Sequence, residues 1–572
     1  MGVPGFFMWL WKNYKTRDFV FQKDNIKDNM LNDIINTIDY LLIDTNCLIH
    51  PMCFKVLADN SEIKNNDKLE ELMIKKVLEY ITYLIDYIKP KKGVFIAIDG
   101  VAPIAKIKQQ RSRRFKSVHD RELWDKIKQK HKKPINHFWN NSAITPGTYF
   151  MFKLHNNILE WSAKQKLQII YSSCNTPSEG EHKLLQFIRN NQKQNKTFSY
   201  VLYGLDADLI FLALSTQCDM VYLLREANQM DSSEKSEALN FVSIKIMKEC
   251  IIETIYESYK KLNESDIELI SNNVINDFIF LCYLLGNDFL PHLPSLNINK
   301  NGIEILVEMY VKTLFETQSY LLKINKHIKV NNIFLVKLLK MLSTKEEEIL
   351  KLHFGKNKRK LYCSSSERYD IEIFKIENLQ FEIIDNVMLG TDNYTEWRKR
   401  YYKHYFGCMT EESIDAFCEE FVNNYLIGLK WVTMYYFDKC PSWDWYFPYD
   451  HPPFLLDIVK YIEKININKI GFSEGQPLVP FEQLLCVLPQ QSAYLIPQSL
   501  KKLMTNGMEE IAHLYPTDFN QDMLNKSKYW MAIPLLPPLE IDLVKKVYNM
   551  NKHLLTKDEQ FRNRVCDDII FN

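Results

Sequence analysis

At 572 residues, with 46% hydrophobic content and 16 glycines, the chain can bury a large core and is long enough for two or more units. Lysine plus arginine total 72 against 71 acidic residues, so any affinity for a polyanion must come from local segregation of charge, not from the total. The 12 cysteines form no C-x-x-C pair and no zinc-spaced Cys/His cluster, the start MGVPGFFMWLWKNYK lacks the apolar core and cleavage site of a signal peptide, and no apolar run reaches about 18 residues. These features point to a reduced, intracellular compartment, cytoplasm ahead of nucleus, and exclude a membrane span.

In chain order, short apolar runs alternate with longer amphipathic stretches: YLLID (40–44), GVFIAID (93–99), KLQIIYSS (166–173) and YVLYGLD (200–206). That alternation predicts an α/β fold, a mostly parallel central sheet flanked by helices. VINDFIFLCYLLGNDFL (274–290) reads as a buried helix stopping at Gly286. From 324 to 395 the pattern is poorer and more charged, as expected of a connecting or inserted segment. Residues 396–572 form a second region, helical, aromatic-rich and Pro-clustered, packed against the first, which spans 1–323.

Asp44, Asp99 and the Asp206/Asp208 pair end or follow three of these strands, and the carboxyl ends of parallel strands open on one common edge where ligands bind. A lone Asp after a strand is ordinarily a turn residue or a cap. The paired carboxylates of DAD and of EGE, where Glu179 and Glu181 flank Gly180, repel one another and need something positive between them. The EGE pair alone also fits a helix start capped by Ser178 or Thr176. With Asp288 in LLGNDFLP the candidate ligands number seven, which suits two hard divalent ions better than one. There is no P-loop and no G-x-S-x-G elbow.

Directly after Asp99, residues 106–133 carry twelve Lys/Arg against three acids. Charge runs are ordinarily solvated faces. If Pro103 opens a helix, however, Lys106, Gln110, Arg113 and Arg114 share a stripe about 100° wide. One ammonium, one amide and two guanidinium forks make a receptor for a terminal phosphate.

At this point the chain resembles the XRN family of 5′-to-3′ exoribonucleases. The resemblance rests on MGVPGFFMWL, LIDTNCLIH, AIDGVAPIAKIKQQRSRRF, ITPGTYFM, PSEGEHKLLQFIR, YGLDADLIFLAL, LLRE and LLGNDFLPHLP, and in the second region on GLKWVTMYYFDKCPSWDWYFPY, PFEQLLCVLP, YPTDF and LTKDEQFRN. It implies a PIN/flap-nuclease-like fold whose second region completes the active-site pocket. It further implies Asp44, Asp99, Glu179, Glu181, Asp206, Asp208 and Asp288 as catalytic ligands of two Mg²⁺, with Mn²⁺ as the alternative ion, and Lys106, Gln110, Arg113 and Arg114 as the 5′-monophosphate pocket. His50 would stack on the first base, with Trp443 or Trp445 against its other face. The implied activity is processive, sequence-independent hydrolysis of single-stranded, 5′-monophosphorylated RNA to nucleoside 5′-monophosphates by a monomer.

Departures from the family pattern are Gly5 and Met8 where basic residues are usual, Ile104 for an Arg, Ser178 for a glycine and Asp450 for a His. The chain is expected to stop where the family's shared core stops. Two rival readings remain at this level, a structure-specific flap endonuclease and a non-catalytic RNA-binding scaffold. A helix-hairpin-helix pattern would favour the first and loss of carboxylates the second; the sequence shows neither.

Overall fold

A computed structural model describes residues 5–23, 26, 29–135, 139–204, 206–226, 238–262, 269–325, 327–354 and 361–572. Three pieces of the sequence reading lie outside these residues: the opening MGVP, Leu205, and the GKNKRK run at 355–360.

The four expected strands form as β2 (Tyr40–Asp44), β3 (Gly93–Ala97), β4 (Gln168–Ser172) and β5 (Tyr200–Tyr203). With β6 (Val221–Glu226) they make the parallel centre of the sheet, in the order β6-β5-β2-β3-β4. Alternate residues of these strands feed two cores. Leu41, Ile43, Val94, Ile96, Ile169 and Tyr171 face one side, and Leu42, Phe95, Ile170 and Leu202 the other. Period-two burial on both faces is why the strands read as continuous apolar runs.

Antiparallel strands cover both edges. β7 (Leu239–Ser243) lies on β6 and carries β1 (Val20–Phe21), while β12 (Ile569–Phe571) lies on β4 with Ile569 opposite Tyr171. Two-stranded hairpins, β8 (Leu322–Ile324) with β9 (Ile328–Val330) and β10 (Gln521–Asp522) with β11 (Ile533–Pro534), sit apart from this sheet. A three-residue strand from the far end of the second region thus completes the first region's sheet.

The buried helix read from 274 to Gly286 forms three residues earlier, as Ser271–Tyr283. Gly286 marks the turn beyond it: its φ is +88° and a Cβ there would lie 2.8 Å from the His292 backbone nitrogen, so only glycine lets the chain double back toward Asp288.

The expectation of poor regularity over 324–395 is corrected. Asn332–Phe354 is a 23-residue helix that buries Phe334, Leu335, Leu338, Leu339 and Leu342 in the same core as Trp397 and Tyr425. The KEEE run at 345–348 hid this apolar face. Glu346 within it is fully buried, and its two oxygens accept the Leu455 and Leu456 N–H groups at 2.8 and 3.0 Å, at the start of the helix Leu455–Ile462. No helix among the described residues is long and apolar enough to cross a membrane.

Candidate active site

The carboxyl edge of the sheet gathers the seven acids. Asp44 ends β2, Asp99 follows β3, and Asp208 opens the helix Asp208–Ser215 with Asp206 just before it. Glu179 and Glu181 sit at the start of the helix Gly180–Lys193. Neither Ser178 nor Thr176 caps this helix. Glu179 occupies the cap position, and the Thr176 hydroxyl has no partner among the described residues.

Gly180 explains the EGE spacing. Its N–H donates to Asp99 Oδ1 at 2.7 Å, and a Cβ on it would come within 2.8 Å of Asp44 Oδ1 and 3.3 Å of Asp99 Oδ1. Two aspartates can therefore close on the helix start only because no side chain stands there. Asn46 fixes Asp99 from the other side, donating to its Oδ2 at 2.8 Å. Ser178 before this turn has φ +99°, a left-handed conformation costing a serine roughly 1–2 kcal/mol, held by backbone bonds to Gly100 and Val101 at 2.9 Å.

The cluster is buried and strongly self-repelling. Burial first, then the Asp99 and Asp206 charges, push the Asp44 carboxyl up to about 8. Burial, then Asp288 and Asp206, push Asp208 up to about 7. Glu181 is driven well above the usual carboxylate range by burial and then by Asp206 and Asp208. Glu179 is also raised by burial, against the pull of Lys106. Burial would raise Asp288 too, but Lys106 is the largest of the effects that bring it below the ordinary range. Asp44 Oδ1 is buried with no hydrogen-bond partner among the described residues. Ligand atoms of Glu179, Glu181 and His182 lie within 4.8 Å of one another. Carboxylate oxygens in this number, one of them buried and orphaned and with Lys106 as the ammonium among them, fit hard divalent cations.

Three residues that the sequence reading missed complete the site. The Tyr435 hydroxyl donates to Glu179 Oε1 and the Tyr436 hydroxyl to Asp208 Oδ1, both at 2.7 Å, from the helix Glu411–Phe437 of the second region. Lys183 Nζ donates to the carbonyls of Ile98 and Ser173 at 2.6 and 2.9 Å, bracing the loop that presents Asp99. The apolar MYYF run carried no signal that set these two tyrosines apart from core residues.

The basic stretch is the helix Ile104–Lys130, with Pro103 as its cap residue. The Trp443 carbonyl accepts the Ile104 N–H at 2.9 Å, tying the PSWDWYF segment to the helix start. Ile104, Ile107 and Phe115 pack on Phe481, Leu484 and Leu485 of the second region, and buried Arg111 bonds the carbonyls of Cys486 and Leu514 at 3.1 and 2.5 Å. On the opposite face, Gln110 is buried, Arg114 half-buried and Arg113 exposed. Gln110 Oε1 and Arg114 Nη1 are buried and unpartnered among the described residues.

Burial and then the Arg113 charge bring the Arg114 guanidinium down to about 9, and burial with Arg113 brings His50 down to about 4, which places His50 beside this stripe. Lys106 differs from its expected place: its ammonium lies among the carboxylates, 2.7 Å from Asp288 Oδ2 and paired with Glu179 Oε2. Trp445 stacks on Trp431 at 5.2 Å between ring centres, and Trp431 on Tyr435 at 4.7 Å; Trp443 lines a separate cavity behind the helix Gly180–Lys193. Asp450 pairs with Lys108 at 2.9 Å. A groove of about 770 Å³ runs from Asp288 past Arg113 and Lys116 to Trp124 and Trp530.

Seven carboxylates, four of them buried, on the open edge of a parallel sheet walled by a basic helix define the class: the protein is a nuclease of PIN-like fold. Residues 1–227 match the XRN 5′-3′ exonuclease N-terminus, and residues 268–370 and 356–572 match the Xrn1 helical domain. The chain belongs to the XRN family. It is similar to 5′-3′ exoribonuclease 2 of Debaryomyces hansenii, 28% identical over all of this chain and 72% of that protein. It is also 31% identical to human 5′-3′ exoribonuclease 1 over 99% of this chain and 35% of the human protein, and 28% identical to exoribonuclease 1 of Saccharomyces cerevisiae over all of this chain and 44% of the yeast protein.

Proposed function

We propose that this chain is a 5′-to-3′ exoribonuclease that degrades single-stranded, 5′-monophosphorylated RNA to nucleoside 5′-monophosphates, processively and without regard to sequence. The observation that carries the reading is the adjacency of two opposite surfaces: a carboxylate cluster suited to cations, and one turn away a stripe of Gln110, Arg113 and Arg114 suited to a phosphate. That adjacency favours cleavage next to a 5′ end.

In this reading Asp44, Asp99, Glu179, Glu181, Asp206, Asp208 and Asp288 hold two Mg²⁺, with Mn²⁺ as the alternative. Bound there, such ions would supply activation of a water and charge stabilisation for the leaving oxygen of a phosphodiester. The protein's own groups do the positioning. Arg113 and Arg114 grip the terminal phosphate through bidentate forks, with Gln110 and Lys106 completing the pocket. His50 stacks on the first base, with Trp443 or Trp445 on its other face, an interaction every base accepts. Tyr435 and Tyr436 fix the rotamers of Glu179 and Asp208. The division of labour follows the chain: residues 1–323 carry the acids and the basic helix, 324–395 connect, and 396–572 complete the pocket. The enzyme acts as a monomer in an intracellular compartment, cytoplasm ahead of nucleus; twelve free thiols accord with a reducing environment.

The test is a time course on one RNA labelled at its 5′ end and prepared with a monophosphate or a triphosphate, in Mg²⁺ with an EDTA control. Labelled mononucleotide should appear at once, from the monophosphate form alone and only with metal. Short labelled oligomers from both forms would replace this reading with an endonuclease.

A further inference from the structure

Lys106 and Gln110 are four residues apart on one helix, so their Cβ atoms are about 5–6 Å apart and the lysine stem can reach either the carboxylates or the phosphate stripe. In this structure it reaches the carboxylates. Its buried ammonium is 2.7 Å from Asp288 Oδ2 and paired with Glu179 Oε2, with Glu181 and Asp208 next in electrostatic range. Along the same face, Gln110 Oε1 and Arg114 Nη1 are buried and unpartnered among the described residues. One turn of this face therefore has its cation already placed, while the next two turns carry buried polar atoms without a partner among the described residues.

We propose that Lys106 is a two-position cation that couples metal loading to recognition of the terminal phosphate, an inference that rests on the nuclease reading above. Without divalent ions, its ammonium neutralises Glu179 and Asp288 and holds the cluster together. A divalent ion on the same two carboxylates repels it, and in a buried site that repulsion is screened far less than at a surface. The displaced ammonium moves along its own helix face toward Gln110 and Arg114, where it adds a third donor group for the phosphate. The coupling is reciprocal: whatever factor the ion adds to phosphate affinity, the phosphate adds to ion affinity. Metal first and RNA second becomes the favoured order of assembly.

The experiment measures Mn²⁺ binding by electron paramagnetic resonance on the full chain, for the wild type, Lys106→Gln and Lys106→Met. Each is titrated alone and with a trinucleotide carrying uncleavable methylphosphonate linkages and either a 5′-phosphate or a 5′-hydroxyl. Both variants should bind Mn²⁺ more tightly than the wild type by about fivefold or more, since the competing ammonium is gone. In the wild type the 5′-phosphate should tighten Mn²⁺ binding by a similar factor over the 5′-hydroxyl, and in the variants by less than about twofold. Circular dichroism identifies a misfolded variant, and the second neutral variant then decides. Folded variants that bind Mn²⁺ no more tightly than the wild type, or an equal phosphate effect in all three proteins, would overturn the proposal. If the wild type still releases mononucleotide from monophosphorylated RNA in that case, the coupling falls and the nuclease reading stands.

Discussion

Two hydroxyls show how the second region reaches into the acidic site. Tyr435 does three things at once: it donates to Glu179, lies on the His182 ring at 3.7 Å between centres, and continues the Trp431–Trp445 stack. Tyr435→Phe keeps the stack and removes only the donor, leaving Glu179 held by Lys106 alone on that side. Groups that orient metal ligands are typically worth 10–100-fold in affinity or activity. We expect RNA hydrolysis to fall by about that factor while stability changes by about 1 kcal/mol. Mononucleotide release and thermal unfolding of the same preparation measure both, and wild-type turnover by the phenylalanine variant would remove the hydroxyl from the mechanism. The sequence could not reveal this tyrosine's role, because an aromatic in an apolar helix looks like core whether or not its hydroxyl faces a carboxylate.

At the scale of elements, Glu346 is a cap supplied from a distance: a side chain of one helix satisfies the first N–H groups of another, more than a hundred residues later. Glu346→Met keeps the volume and strands the buried Leu455 donor, at a cost of roughly 1–3 kcal/mol, and the part-buried Leu456 donor at less. Denaturant unfolding should register that loss, and an unchanged midpoint would mean that the helix start finds other partners. The same helix marks where sequence reading ended. The parallel strands were legible because each is a closed apolar run ending in aspartate. β12 was not, since three residues acquire strand identity only from the edge of β4. The Asn332–Phe354 helix was obscured because a buried glutamate and its charged neighbours interrupted the count of apolar positions. For the site, the pairing of like charges marked out the carboxylates, whereas helical periodicity gave Lys106 its face but not the direction in which its flexible stem turns.

For the molecule as a whole, the buried acids make stability depend on pH. Asp44 stands near 8 and Asp208 near 7, each from an ordinary 3.8 and each chiefly through burial. Between about pH 4 and 8 the native state holds protons that the unfolded chain releases, so metal-free stability is greatest at the acid end of that window and falls as pH rises through 7 and 8. Bound divalent ions favour the ionised carboxylates and should flatten this slope. Melting temperatures from pH 5 to 8, in EDTA and in Mg²⁺, test it; parallel curves would argue against cations among these side chains. The tie between Glu179 and Tyr435 spans 256 positions of chain. A ribosome adding about 5–20 residues per second needs roughly 10–50 s to cover that distance. In the later part of that interval every acid up to Asp288 has been synthesised, yet Glu179 has no tyrosine and Ile104 has no Trp443 carbonyl. The acidic site therefore gains its ligand-orienting hydroxyls only when the second region has been made.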